Sequence, residues 1–188
     1  MKQQSRDETA IVVFDLDGTI TRYDTYVRFL LYVIRQKPLK IVRLPLLSID
    51  VLRHKLGLQT NTWLKKRFLR ALLAGHDQET INAWAISFSQ HVIESGLYED
   101  AIACVEQHQS TGAELVLLTA SLDIYVQMVG EMLGFNHIIC TRTTWDENVL
   151  GSELDGGNCY GNKKLERINQ WLENRTNKTI LAAYGDHE

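Results

Sequence analysis

Two hydrophobic patterns share this chain. Ile11-Val12-Val13-Phe14 is a continuous apolar run that stops at Asp15, which reads as a strand buried on both faces. Leu115-Val116-Leu117-Leu118 repeats the design and ends in Thr119-Ala120-Ser121, giving a second strand over Glu114–Ser121. A short third strand is expected over His137–Cys140 and a fourth over Thr179–Tyr184, with a small hairpin from Thr143 to Asp155 turning about Asp146-Glu147-Asn148. Between them the pattern is helical. Thr25–Gln36, Leu39–Leu56 around Pro45, Trp63–Leu73 after a polar Thr-Asn-Thr start, and a run opening at Asp77 as N-cap all fall before Gly96. Tyr98–Gln109, Leu122–Leu133 and Lys163–Leu172 follow, the last with Leu165, Ile168, Trp171 and Leu172 on one face and Asn162 as its cap.

Strands alternating with helices imply a parallel sheet with right-handed crossovers. The stretch from residue 24 to 96 is too long for an ordinary crossover. The expected architecture is therefore α/β: a Rossmann-like parallel sheet formed by residues 1–23 and 97–188, with residues 24–96 inserted as a helical cap.

Composition bounds the setting. With 45% apolar and 23% charged residues the 188-residue chain is ordinary for a globular protein. Cys104, Cys140 and Cys159 are odd in number and widely spaced, which suits neither a disulfide framework nor a zinc site, and they read as small buried hydrophobes. Met1–Ala10 lacks the apolar core of a signal peptide, and no stretch reaches the ~20 apolar residues of a spanning helix. A soluble, cytoplasmic protein is expected. The net charge of −3 hides a split: residues 25–76 hold eleven Lys/Arg against the single acid Asp50. That segment reads either as a solvated face balancing an acidic core or as a surface that receives something anionic, with Lys65, Lys66 and Arg67 prominent in it. No nucleic-acid-binding module is present.

The polar residues with candidate chemistry stand where strands end. Asp15 and Asp17 follow the first strand, Thr119 the second and Asp186 the fourth, while Lys164 opens the helix before that last strand. Ligands in open α/β sheets bind at the carboxyl ends of strands. Singly, each residue has a bland alternative: a Thr after a strand caps, a Lys in a first helical turn is solvated, an Asp after Gly makes a turn. Together, two aspartates, a hydroxyl, a lysine and a third aspartate are what a phosphoryl-transfer site needs.

Val12-Val13-Phe14-Asp15-Leu16-Asp17-Gly18-Thr19 resembles the first motif of the haloacid dehalogenase (HAD) superfamily, and the later residues resemble its other three motifs in order. The resemblance is to subfamily IB, the phosphoserine phosphatase-like enzymes. It implies an Mg²⁺-dependent phosphomonoester hydrolase with an aspartyl-phosphate intermediate. By the same resemblance Asp15 matches the nucleophile and a metal ligand. Asp17 matches the general acid and base and lends its backbone carbonyl to Mg²⁺. Thr119, with the amide of Ala120, matches the phosphate-binding pair. Lys164, reached through Gly157-Asn158-Cys159-Tyr160-Gly161-Asn162-Lys163, matches the charge-neutralising lysine, and Asp186 matches a metal ligand.

The family's fourth motif carries a second acid four positions beyond its first, whereas here His187 and Glu188 follow Asp186. The expectation is a sheet truncated on its C-terminal side, with residues 1–188 alone showing negligible turnover and weak Mg²⁺ affinity. Three readings of function are open: a hydrolase of soluble phosphomonoesters, a phosphatidylglycerophosphate-type lipid phosphatase whose basic cap touches anionic membranes, and a non-catalytic relative that binds phosphate or Mg²⁺. The second rests on the Arg35-Gln36-Lys37-Pro38-Leu39 stretch and the apolar residues after it, which resemble such lipid phosphatases.

Overall fold

The computed structural model describes residues 9–173, 175 and 178–186. Five strands form one sheet in the order β4-β3-β2-β1-β5: β1 Thr9–Phe14, β2 Glu114–Leu122, β3 His137–Asp146, β4 Val149–Asp155 and β5 Lys178–Tyr184. β1 pairs in parallel with both β2 and β5, β2 pairs in parallel with β3, and β4 closes the far edge antiparallel to β3. This is the expected Rossmann-like α/β arrangement.

The period-two alternation of the apolar runs explains the layering. Val12, Phe14, Leu115 and Leu117 point into one core, while Ile11, Val13, Val116 and Leu118 point into the other. The second core is small. It is completed by Cys159 and by Ile168, Trp171 and Leu172 of α7, Asn162–Glu173. The first core is large and holds α5 (Glu99–Ser110), α6 (Asp123–Met132) and the inserted helices α1 (Thr25–Gln36), α2 (Leu44–Lys55), α3 (Asn61–Phe68) and α4 (Gln78–Ser95). The insertion therefore shares the sheet's hydrophobic core. Phe88 of α4 packs its ring 5.1 Å from Phe29 of α1 and 5.2 Å from Tyr125 of α6.

Local rules account for most boundaries. Asp24, Thr60 and Asp77 cap α1, α3 and α4 by accepting from the N–H of Val27, Trp63 and Thr80. Four expectations need correction. The Leu39–Leu56 run divides into a 3₁₀ segment, Pro38–Arg43, and α2, with Pro45 in the first turn of α2, where its missing N–H costs nothing. The Trp63–Leu73 run ends in a π-turn over Leu69–Leu73. The third strand runs on to Asp146, because β4 pairs with its second half and the intervening Glu147 and Asn148 both take positive φ, as a two-residue hairpin turn of the primed type requires. Asn162 is the first residue of α7 and not its cap; backbone bonds from Lys163 N–H to the Tyr160 carbonyl and from Lys164 N–H to the Gly161 carbonyl close that first turn.

The hairpin also anchors the insertion. Gly75 N–H donates to the Leu150 carbonyl at 2.8 Å and Leu150 N–H to the His76 carbonyl at 2.9 Å, while Glu153 pairs with Lys66 and Arg70. Phe88→Ala should therefore loosen helices and sheet together, lowering the unfolding free energy by about 3–5 kcal/mol in a urea titration. A loss below about 1 kcal/mol would show that the aromatic cluster is not what joins the layers.

Candidate active site

Everything with candidate chemistry gathers where β1 and β2 end. Asp15 continues the ladder of β1: its N–H donates to the Tyr184 carbonyl at 2.9 Å, and the Phe14 and Tyr184 rings stack at 4.7 Å beside it. One carboxylate oxygen accepts from Leu16 N–H at 2.8 Å, and the other is ion-paired with Lys164 Nζ from the first turn of α7. Both side chains are partly buried. The chain then reverses sharply, with the Leu16 carbonyl accepting from the N–H groups of Ile20 and Thr21 at 2.9 Å. Gly18 makes the reversal possible at φ +75°, and a Cβ there would lie 2.8 Å from Asp186 Oδ2. The Asp186 carboxylate thus rests directly against the loop that carries Asp15 and Asp17.

Asp17 turns inward. Its Oδ1 accepts from Thr25 N–H at 2.7 Å and from the Thr25 hydroxyl at 2.6 Å, and its Oδ2 accepts from the Ser121 hydroxyl at 2.6 Å. With the protons of Thr25 and Ser121 both committed to the carboxylate, the Tyr125 hydroxyl, 3.1 Å from Thr25 Oγ1, is the donor of that contact. Burial pushes the Asp17 carboxyl above the usual carboxylate range; the bonds from Ser121 and Thr25 work against that shift, and the charge of nearby Asp24 adds to it.

Thr119 is fully buried and its Oγ1 accepts from Ser121 N–H at 3.1 Å, which leaves its own proton to donate. The β2–β3 register shifts between Leu118 and Leu122, so Thr119-Ala120-Ser121 leaves the regular ladder at the point where it faces the β1 loop.

Among the described residues no three His, Cys, Asp or Glu side chains form a metal-binding group. The three bonds on Asp17 engage both of its carboxylate oxygens. The carboxylates of Asp15 and Asp186 and the Asp17 backbone carbonyl offer an all-oxygen set beside a loop with no Cβ at Gly18. That chemistry fits a hard cation such as Mg²⁺.

Residues 12–188 match the family described as haloacid dehalogenase-like hydrolase. The chain belongs to that family. Protein CicA of Caulobacter vibrioides (strain NA1000 / CB15N) is 33% identical over 185 residues, covering 95% of this chain and 79% of that protein. Two solved structures share the fold. A protein of unknown function from Bordetella pertussis Tohama I has a TM-score of 0.79 at 24% identity, over 89% of this chain and 76% of that one. A phospho-aspartyl intermediate analogue of phosphoserine phosphatase has a TM-score of 0.59 at 13% identity, over 94% of this chain and 78% of that one.

Within this HAD-like framework, sequence reasoning missed the polar residues that hold the site. Thr25, Ser121 and Tyr125 sit inside apolar periodic stretches and look like neutral core or cap positions. Lys65 was hidden in the Lys65-Lys66-Arg67 run. Lys66 pairs with Glu153 and Arg67 with Asp50, but Lys65 is buried and reaches the site edge: Nζ donates to the Ala120 carbonyl at 2.5 Å and to Asn158 Oδ1 at 2.9 Å. Its spacing was the available signal, since 65, 69 and 72 fall at i, i+4 and i+7 and both leucines are fully buried. Cys140 and Cys159 are buried as anticipated for small hydrophobes, with burial pushing the Cys140 thiol up to about 12, whereas Cys104 is only half-buried.

The raised carboxyl of Asp17 has a consequence for stability. Its native titration lies above the unfolded value, so in the window between them the native state holds the extra proton and stability rises as pH falls; at neutral pH the buried carboxylate costs stability. Asp17→Asn should melt at a higher temperature than the parent at pH 7, with the advantage shrinking as pH drops through the native Asp17 titration. A variant that melts lower at pH 7 would contradict this assignment.

Proposed function

We propose that this HAD-family protein is a phosphomonoester hydrolase that works through an aspartyl-phosphate on Asp15, with Mg²⁺ as cofactor and the cytoplasm as its compartment. One observation carries the reading: two carboxylates two residues apart at one strand end have opposite surroundings. Asp15 is partly exposed and paired with a lysine, and Asp17 is buried with its carboxyl pushed up.

An Asp15 oxygen attacks phosphorus in line, and the bond from phosphorus to the ester oxygen breaks as the protonated Asp17 carboxyl, swung out of its bonds to Thr25 and Ser121, delivers its proton to the departing alkoxide. Asp17, now ionised, takes a proton from a water that attacks the acyl phosphate, which releases orthophosphate and restores the Asp15 carboxylate. Lys164 neutralises charge next to Asp15, and the Thr119 hydroxyl and Ala120 N–H donate to the phosphoryl oxygens. Asp15, the Asp17 carbonyl and Asp186 would hold Mg²⁺, which would add to the neutralisation of phosphate charge. Residues 24–96 act as the cap over this edge, distinct in role from the core of residues 1–23 and 97–188.

In the full-length protein, Asp15→Asn should lower turnover of an aryl phosphate by roughly a thousandfold or more, because an amide cannot form the acyl phosphate. Activity within tenfold of the parent would remove Asp15 from the role.

A second reading, a lipid phosphate as substrate at an anionic membrane, draws on the outer surface of the insertion. Leu39 is 87% exposed and Val42 75%, and Leu46, Leu52, Leu56 and Leu58 are also exposed, with Lys37, Arg53 and Lys55 among them. Apolar side chains ringed by bases suit the interface of an anionic bilayer. No described helix is long and apolar enough to cross a membrane, so the contact in this reading is peripheral. Binding to vesicles containing phosphatidylglycerol should exceed binding to phosphatidylcholine vesicles, weaken with salt, and drop in a Leu39→Glu, Val42→Glu double variant. Equal binding to both vesicle types would leave the soluble phosphomonoester reading alone.

A further inference from the structure

Lys65 is an expensive residue to place where it is. An ammonium belongs in water, yet this one is 7% exposed, and burial pushes it down to about 8, with the charges of Asp17 and Asp24 opposing the shift and that of Lys164 adding to it. A methionine would fill the same space without that cost, so packing alone does not explain the lysine.

Its contacts suggest a use. Lys65 belongs to α3 of the insertion, whereas both of its acceptors belong to the sheet side: the Ala120 carbonyl at the end of β2, and Asn158 in the loop that leads to α7. Asn158 is itself buried, and its Nδ2 donates back to Asn61 of α3 at 3.2 Å, so the two elements grip each other reciprocally. Thr141 Oγ1 lies 2.7 Å from the Ala120 carbonyl and 3.0 Å from Asn158 Oδ1, with one proton to give.

The Ala120 carbonyl and the Ser121 N–H are the two ends of one rigid peptide plane. That N–H donates to Thr119 Oγ1 at 3.1 Å. Fixing the carbonyl end fixes the direction of the N–H, and a cation on the oxygen polarises the plane and strengthens the bond at its other end. The chain of contacts runs from α3 through Lys65, the Ala120–Ser121 peptide and Ser121 N–H to the Thr119 hydroxyl.

We propose that Lys65 is a positioning residue through which the seating of the inserted helices on the sheet sets the aim of the Thr119 hydroxyl toward phosphate. This rests on the reading of Thr119 as a phosphate-binding group. Lys65 acts on the peptide and not on the ester, so its loss weakens the hold on phosphate without removing the nucleophile.

The test uses the full-length protein with Lys65→Met, with Lys66→Met as the neighbouring charge-removal control whose lysine pairs with Glu153. Orthophosphate affinity is measured by calorimetry in the presence of MgCl₂, and the Ser121 amide is followed by NMR hydrogen exchange. Lys65→Met should bind orthophosphate roughly tenfold more weakly, exchange the Ser121 amide faster and melt no lower than the parent, while Lys66→Met matches the parent in phosphate affinity and Ser121 exchange. Affinity within twofold of the parent, or a loss of affinity that comes only with a lowered melting temperature, would overturn the proposal. Turnover measured alongside separates the two ideas: a parent protein that binds orthophosphate with this Lys65 dependence yet hydrolyses no phosphomonoester would sink the hydrolase reading and leave the coupling standing.

Discussion

The buried carboxylate of Asp17 is the constraint on which this site depends. Its three donors come from two different elements, Thr25 at the start of α1 and Ser121 at the end of β2, so one side chain ties the loop after β1 to the insertion and to the neighbouring strand. A half-satisfied carboxylate in this position would be costly, and the full set of partners is what makes it tolerable. The same bonds hold both Asp17 oxygens, while Asp15 stays partly exposed beside Lys164. Two chemically identical side chains thereby acquire different properties from position alone.

The insertion is part of this constraint and not an appendage. Its aromatic residues share a core with the sheet, its backbone bonds to the β3–β4 hairpin, and Thr25 and Lys65 carry its polar groups to the strand ends. The positive charge of residues 25–76 is accordingly not one uniform surface. Lys65 is buried at the site and Lys66, Arg67 and Arg70 are paired, while the exposed bases accompany the apolar residues around the 3₁₀ segment and α2.

The sheet and the strand-end residues were legible because they follow from short-range pattern. The apolar runs Ile11–Phe14 and Leu115–Leu118 are buried on both faces, and the polar residues after them lie at the carboxyl ends of their strands, which located Asp15, Asp17 and Thr119 without knowledge of packing, whereas the run before Asp186 forms the edge strand β5 and is largely exposed. The rest depends on tertiary contact. β3 extends past Cys140 only because β4 pairs with it, and Thr25, Ser121 and Tyr125 gain their roles only when α1, β2 and α6 meet. Lys65 illustrates the limit best, since only its spacing to Leu69 and Leu72 sets it apart in sequence from Lys66 and Arg67, which face other partners in the fold.

In the proposed reaction Asp15 forms a covalent acyl phosphate while Asp17 moves the proton. Rapid-quench of the full-length protein during turnover of an aryl phosphate, followed by borohydride reduction and peptide mass spectrometry, tests it most directly. Reduction of an acyl phosphate converts the aspartate to homoserine, so homoserine should appear at position 15 only when substrate is present. Turnover with an unmodified Asp15, or homoserine at another acid, would contradict it.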